Sequence, residues 1–152
     1  EKYHRRIVTH EHFYLQNEFN LLGIHLNARN PKEPHDYAGN VSCTCHSIDE
    51  LKNKKHFYDY VFLSPVFDCI TKAGVTAGFT PEELRAAGKE RIIDNKVMAF
   101  GGITPDNILQ VKDFGFGGAV VMGDLWNKFN ACTDRDYTGV IRHFKHLKEM
   151  AD

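Results

Sequence analysis

The chain has 152 residues, 42% of them hydrophobic and 26% charged, with a formal net charge of −1 at pH 7. This length indicates one domain, and the charge balance supplies neither a basic patch for nucleic acid nor a charged block for a membrane surface. No apolar run approaches the ~18 residues of a membrane span, and no apolar stretch follows the first residues as it does in a signal peptide. Because residue 1 is not Met, we expect the chain to be the later part of a longer one.

Six short apolar runs predict β-strands in chain order. The runs are continuous rather than alternating, which is typical of strands covered on both faces. They span residues 6–9, 23–26, 41–45, 60–64, 97–100 and 118–122.

Polar segments with helical patterns separate these runs. Residues 13–22 predict the first helix, and the second is expected to begin at Ser47, with Glu50 completing a capping box three residues later. Thr80 and Glu83 repeat the same pattern at the start of a third helix.

Two more helices are predicted nearer the C-terminus, one after the fifth strand and one after the sixth. Thr104 is expected to cap a helix after the fifth strand, and residues 137–150 predict the last helix. The apolar face of that helix is expected to comprise Val140, Ile141, Phe144 and Leu147. Residues 29–39 contain two prolines and are interpreted as a loop.

Strands that alternate with helices predict an α/β fold with a parallel sheet. A closed eight-unit barrel ordinarily needs ~250 residues, so the six predicted units would fall two short. An open, doubly wound sheet fits the length better, and the pattern of elements alone does not choose between the two.

The four cysteines, Cys43, Cys45, Cys69 and Cys132, are predicted to be reduced and structural. A zinc site ordinarily contains Cys-x2-Cys and a second pair of ligands, and this spacing does not occur here. Reduced thiols are typical of a cytosolic protein, so we expect a cytoplasmic location.

Glycines follow the last two predicted strands. Gly101 and Gly102 come directly after the fifth strand and Gly123 follows the sixth. Glycine weakens a strand, so we interpret the pair as a place where something approaches the backbone closely. The loops after the last two strands of a βα barrel often bind phosphate, and a tight turn without any ligand is the alternative.

Polar residues follow two other strands, so they are expected at the same end of the sheet. Thr71 and Lys72 lie in a glycine-containing loop that could close over a phosphate or pyrophosphate; a solvated surface lysine is the alternative. His46, at the end of the third strand, suits proton transfer near neutral pH, although it could equally pack at the helix start. His25 is interpreted as a packed core histidine.

A metal site is the least supported of the candidate sites. His10 and His12 flank Glu11 after the first strand, and this trio could contribute ligands to a metal. Without further ligands in the sequence, a polar loop is the favoured interpretation.

The order of these motifs resembles the thiamine phosphate synthase and TenI superfamily. The similarity is strongest in the run 58–67, in Thr71-Lys72 and in the segment 99–107, and it extends to Gly-Ile-His-Leu at 23–26 and Thr-Cys-His-Ser at 44–47. The resemblance implies a TIM (β/α)8 barrel whose first two βα units are absent, so that residues 1–152 form a single domain of the last six units.

The resemblance also implies roles for particular residues. Thr71 and Lys72 match a pyrophosphate-binding pair, with Lys72 closing over the ligand, and Thr44 keeps the hydroxyl of a substrate-binding serine. His46 matches a histidine that transfers protons in the TenI branch. The residues that match the thiazole phosphate site are Gly101, Gly102, Val121 and Met122, beside Gly123.

Two departures from the synthase pattern affect its Mg²⁺ site. Glu11 stands where the synthase has a shorter acidic residue, and Asn30 replaces a carboxylate that holds Mg²⁺. A neutral amide is a poorer ligand for a hard divalent cation than an anionic oxygen. Glu11 and Asn30 are therefore metal ligands only if the chain is a synthase, and otherwise no cofactor is expected.

Three functions are compatible with the sequence. The favoured one is a TenI-like protein of thiamine biosynthesis that binds a thiazole phosphate, as a tautomerase with His46 as proton carrier. The alternatives are a thiamine phosphate synthase that couples hydroxymethylpyrimidine pyrophosphate to the thiazole phosphate with Mg²⁺, and a non-catalytic regulator that senses such a ligand. Open sheet edges left by missing units would invite pairing, so a homo-oligomer is a further alternative.

Overall fold

The computed structural model describes residues 1–71, 73–130 and 132–152. Six parallel strands form one curled sheet, part of a TIM-like barrel, in the order β1-β2-β3-β4-β5-β6. The strands are β1 (Val8–Thr9), β2 (Gly23–Leu26), β3 (Asn40–Cys45), β4 (Tyr60–Leu63), β5 (Val97–Phe100) and β6 (Gly118–Val120). The six strand predictions are thus confirmed, with β1 and β6 shorter than expected.

The order of the strands excludes a doubly wound sheet for the part of the chain that the structure describes. A doubly wound sheet reverses its strand order at a switch point, whereas here each strand pairs in parallel with the next one along the chain. All the described strands therefore end at the same side of the sheet, which is where the predicted site residues follow them.

Helices follow every described strand except β2, and two of them follow β6. They are α1 (Tyr14–Phe19), α2 (Ile48–Lys54), α3 (Pro81–Lys89), α4 (Ile108–Asp113), α5 (Gly123–Trp126) and α6 (Thr138–Ala151). Short 3₁₀ turns span His4–Arg6 and Lys55–Phe57, and the segment 29–39 has neither helix nor strand, as predicted. None of the helices in the described ranges is both long and apolar enough to cross a membrane.

The predicted capping patterns are confirmed at one helix and modified at another. In α3 the Thr80 hydroxyl accepts from the backbone N–H of Glu83, and the Glu83 carboxylate accepts from that of Thr80. In α2 the Ser47 hydroxyl accepts from Glu50 N–H, but the Glu50 carboxylate accepts from the backbone N–H of His46, at 2.7 Å, instead of Ser47. The cap therefore also fixes the backbone of a predicted site residue.

The prediction that Thr104 caps a helix is wrong, because α4 begins only at Ile108. The side chain of Asn107 accepts from the backbone N–H of Thr104 at 2.9 Å and donates to the carbonyl of Gly102 at 2.8 Å. These two bonds hold residues 104–107 as a turn that joins the glycine pair to the helix.

The predicted apolar face of the last helix is only partly buried. Leu147 is buried, Val140 is half-buried, and Ile141 and Phe144 are 50% and 53% exposed. Helix α6 packs on α4 and α5, and nothing else in the described part of the chain covers the side that carries Ile141 and Phe144.

The core lies between the sheet and its helices. It includes Ile24, Leu51, Val61, Leu63, Leu84, Ile93, Val97 and Phe114. Cys43 and Cys45 are buried in β3, and all four cysteines are free thiols, as predicted.

Candidate functional site

A small cavity lies at the carboxyl ends of β4, β5 and β6. Its volume is about 160 Å³, which is large enough for a small ligand group. The residues that line it include Pro65, Thr71, Gly101, Gly102, Met122 and Gly123. The structure therefore brings together five of the residues predicted to bind phosphate or substrate, and we call this space the inner cavity.

Close contacts within the chain explain why residues 101 and 102 are glycines. Both residues have positive φ, +99° at Gly101 and +66° at Gly102. A Cβ at Gly101 would lie 2.9 Å from the Cα of Pro65, and one at Gly102 would lie 2.3 Å from the carbonyl oxygen of Asp68. The close neighbour is thus the chain's own loop after β4, so the glycines need no ligand to explain them, and phosphate binding stays a prediction.

A similar contact joins the loop after β4 to the turn after β6. A Cβ at Gly123 would lie 2.7 Å from Cγ2 of Thr71 and 3.2 Å from Cβ of Ile70. Thr71 therefore sits directly against the predicted phosphate turn. Lys72, predicted to close over the ligand, lies outside the described residues.

A larger and more open space, which we call the barrel mouth, adjoins the inner cavity. Its volume is about 530 Å³, and Phe100, Val120 and Met122 line both spaces. Val121, which was predicted to bind phosphate, faces the barrel mouth and does not line the inner cavity. Thr44 also lines the barrel mouth, and with His46 it lines a neighbouring cleft.

His46 is held at the end of β3 by its ring and by its backbone. Its Nδ1 lies 2.8 Å from the carbonyl oxygen of Ser64. A carbonyl can only accept, so Nδ1 carries the hydrogen and Nε2 of the neutral ring is a bare acceptor. Within the described residues Nε2 makes no hydrogen bond. It is therefore free to accept a proton from a ligand.

His25 is both a core residue and a neighbour of the site. It is 2% exposed, as expected of a packed histidine, but both ring nitrogens are bonded, Nδ1 to Ser42 Oγ and Nε2 to Thr44 Oγ1, each at 2.9 Å. Burial and, to a smaller degree, the neighbouring His10 lower the pKa of His25 to about 4. The link to Thr44 was not predicted from the sequence, since it depends on the register of His25 opposite Ser42.

An aromatic column forms the inner wall of the barrel mouth. His10 stacks on His25 with ring centroids 4.5 Å apart, His25 stacks on Phe62 at 4.4 Å, and Phe62 meets Phe100 edge-on at 5.8 Å. Burial lowers the pKa of His10. Within the column His25 and Phe62 are buried, whereas Phe100 is half-buried and lines the barrel mouth beside Thr44.

The candidate metal ligands do not form a site that fits Mg²⁺. Glu11 Oε1 forms an exposed ion pair with Arg29 Nη2, 2.5 Å away, and the backbone N–H of Asn30 donates to the side chain of Asn27 in a turn. His12, the other end of the predicted His-x-His pattern, packs edge-on against Tyr14. Across residues 1–71, 73–130 and 132–152 there is no group of three or more His, Cys, Asp or Glu that could hold a metal.

Comparison with known proteins identifies the family of the chain. The family described as thiamine monophosphate synthase, TMP-TENI, matches residues 1–125. No protein of curated function matches the chain.

Solved structures show the same fold. A crystal structure named thiamine phosphate pyrophosphorylase from Bacteroides thetaiotaomicron is 69% identical, with a TM-score of 0.87, and the match covers 99% of this chain and 72% of that one. A thiamine phosphate pyrophosphorylase from Pyrococcus furiosus is 19% identical, with a TM-score of 0.54, over 91% of this chain and 71% of that one. A structure named native KDPGal is 18% identical, with a TM-score of 0.57, over 94% and 68%. The last two similarities concern the fold alone.

Proposed function

Because the chain belongs to the thiamine monophosphate synthase (TMP-TENI) family, we propose that it binds a phosphorylated thiazole and catalyses its tautomerisation in thiamine biosynthesis. His46 is the proposed proton carrier. The observation that supports this role most directly is the bond from His46 Nδ1–H to the Ser64 carbonyl, which leaves Nε2 bare at the edge of the cleft.

The proposed phosphate site is the inner cavity. Backbone N–H groups without a side chain in the way can approach a phosphate closely, and Gly101, Gly102 and Gly123 all line this cavity. The proposal assigns the phosphate to these residues and to Met122, with Thr71 contributing its hydroxyl and Val121 acting from the adjoining barrel mouth. Lys72 is proposed to close over the ligand.

The ion pair of Glu11 with Arg29 favours a reaction that needs no metal. Tautomerisation moves a proton within one substrate and needs no divalent cation, whereas pyrophosphate displacement in the synthase needs Mg²⁺. Glu11 is the one carboxylate at the predicted metal position, and it is paired with Arg29. Under this proposal no cofactor is required.

The first test replaces the proposed proton carrier. His46→Ala is expected to abolish turnover of thiazole phosphate carboxylate while changing its affinity, measured by calorimetry, less than threefold. The matched control is His56→Ala, an exposed histidine in the turn after α2, which should leave both unchanged. Full activity in His46→Ala would rule out this assignment of the proton carrier.

A second function is favoured by the structure that is 69% identical, because that protein is named a thiamine phosphate pyrophosphorylase. Under this alternative Glu11 and Asn30 would have to hold Mg²⁺ for coupling with hydroxymethylpyrimidine pyrophosphate. Calorimetry of the pyrimidine pyrophosphate with and without Mg²⁺ separates the two. Mg²⁺-dependent binding and chelator-sensitive product formation would replace our proposal with the synthase, whereas thiazole binding without any turnover would indicate a regulator.

A further inference from the structure

A buried chain of hydrogen bonds runs from the backbone of β2 to the hydroxyl of Thr44 in the barrel mouth. Ser42 Oγ lies 3.3 Å from the carbonyl oxygen of Ile24 and 2.9 Å from Nδ1 of His25. A carbonyl only accepts, so the single hydroxyl hydrogen of Ser42 is donated to Ile24. The oxygen of Ser42 must therefore accept from His25, and the imidazole hydrogen lies on Nδ1.

The same reasoning sets the direction of the next bond. With its hydrogen on Nδ1, the neutral ring of His25 presents a bare Nε2 to Thr44 Oγ1 at 2.9 Å. Two acceptors cannot bond to each other, so Thr44 donates its hydroxyl hydrogen inward to His25. Burial of the ring, 2% exposed between His10 and Phe62, favours the neutral form on which this direction depends.

We propose that Ser42 and His25 are positioning residues that make the Thr44 hydroxyl a hydrogen-bond acceptor toward the ligand. Thr44 is half-buried and lines the barrel mouth. Since its one hydrogen points away from the cavity, only its lone pairs face the ligand. The site thus selects a ligand that presents an N–H or O–H donor at this point.

The aromatic column also bears on which ligand groups can bind beside Thr44. Phe100 is half-buried and lines the barrel mouth together with Thr44, and flat rings pack well on aromatic side chains. A ligand group that offers only an acceptor at this point is disfavoured, because two acceptors would then face each other. The identity of the ligand rests on the proposed function, whereas the direction of the hydrogen bonds does not.

The tautomer of His25 is measured directly by the nitrogen chemical shifts of a ¹⁵N-histidine-labelled sample of the unliganded protein at pH 7. The expected spectrum shows a protonated Nδ1 and a bare Nε2 for His25, assigned by the loss of its signals in His25→Phe or by their couplings to ring protons. Ser42→Ala is expected to shift the ring away from this single tautomer. A protonated Nε2, or a charged ring, in the native protein would overturn the inference whatever the protein binds.

A double-mutant cycle tests whether the chain acts through Thr44. Calorimetry with thiazole phosphate carboxylate and with hydroxymethylpyrimidine pyrophosphate should show about fivefold to tenfold weaker binding of at least one probe in Thr44→Val, in line with the loss of one hydrogen bond. Ser42→Ala should weaken the same probe by a smaller factor and add nothing in the Thr44→Val background. Thr44→Ser restores the hydroxyl and should recover most of the affinity.

The outcomes of the two experiments are distinguishable. Additive effects of Ser42→Ala and Thr44→Val would show that Ser42 has only a structural role and would overturn the inference. If neither probe binds the native protein, the proposed function fails, and the tautomer of His25 still decides whether the positioning chain exists.

Discussion

At the scale of single residues, Gly102 is strongly constrained. Its φ of +66° is unfavourable for any side chain, and an added Cβ would meet the carbonyl oxygen of Asp68 at 2.3 Å. Gly102→Ala is therefore expected to lower the free energy of unfolding by about 2–4 kcal/mol, as measured by urea denaturation. It should also disturb ligand binding, because the loop after β4 must move.

The control for this substitution is Gly139→Ala in α6. A Cβ at Gly139 meets no atom within 4 Å, and alanine favours the helix by up to ~1 kcal/mol. Gly139→Ala should be neutral or stabilising. Equal effects of the two substitutions would contradict the packing described around Gly102.

His25 makes the stability of the protein depend on pH. Its pKa is lowered to about 4, chiefly by burial, against about 6.5 in an unfolded chain. Above about pH 6.5 the ring is neutral in both states and contributes no pH dependence. As the pH falls toward 4, the unfolded chain binds a proton that the folded chain excludes, so the free energy of unfolding falls, by on the order of 2 kcal/mol.

The measurement is urea denaturation at several pH values between 4.5 and 7. His25→Phe keeps a flat ring in the aromatic column but removes the titrating group, so its stability should fall less steeply with acid than that of the native protein. Identical pH dependence in the two proteins would contradict this account. If the variant does not fold, an NMR titration of His25 in the native protein gives the same answer.

At the scale of the elements, the side chain of Lys55 joins the turn after α2 to the segment after α3. Its Nζ donates to the carbonyls of Arg91 and Ile92, at 3.0 and 2.9 Å, and lies 2.7 Å from Asp94 Oδ2. Lys55 is only 7% exposed. Removing it leaves two carbonyls and Oδ2 of Asp94 without this donor, while Asp94 Oδ1 still accepts from the backbone N–H of Lys96.

Lys55→Ala should therefore lower the free energy of unfolding by about 3 kcal/mol. Lys52→Ala is the matched control, since Lys52 is half exposed and its nearest carboxylate oxygen, in Asp49, is 3.9 Å away. An exposed pair of this kind contributes ~0–1 kcal/mol. A loss of similar size in both variants, measured by thermal or urea unfolding, would show that the buried pair has no special role.

The elements could be predicted from the sequence where local chemistry decides them. Continuous apolar runs identified the strands, and Thr80 with Glu83 identified the start of α3, because a capping box is a contact within four residues. The start of α4 could not be predicted, since Asn107 bonds back to Gly102 and no pattern of residue types specifies that bond. The exposure of Ile141 and Phe144 depends on which elements pack on α6.

The candidate site, like the elements, could be predicted from the sequence only in part. Residues that follow strands, such as Gly101, Met122 and His46, could be placed at one end of the sheet because parallel strands share that end. The link from Ser42 through His25 to Thr44 could not be predicted, since it depends on the register of two strands. The aromatic column depends in the same way on rings from β2, β4 and β5 meeting inside the barrel.

The sheet formed by the described strands has two edges, β1 and β6, and they should be its least stable part. Strands β1 and β6 have two and three residues, and among the described residues each pairs on one side only. Amide hydrogen exchange is therefore expected to be slowest in β3 and β4 and progressively faster toward β1 and β6. Mass spectrometry or NMR would measure this gradient, and uniform protection across the strands would show that the edges are covered, for instance by a second copy of the chain.

The order of the sheet also affects how the protein can be made. Every described strand after β1 pairs with the one before it in the chain, so each of them finds its partner already synthesised when it leaves the ribosome. Translation proceeds from the N-terminus at about 5–20 residues per second, which is slow compared with the pairing of neighbouring segments. No described strand except the first has to wait for a later one, and the sheet can grow in the direction of synthesis, one βα unit at a time.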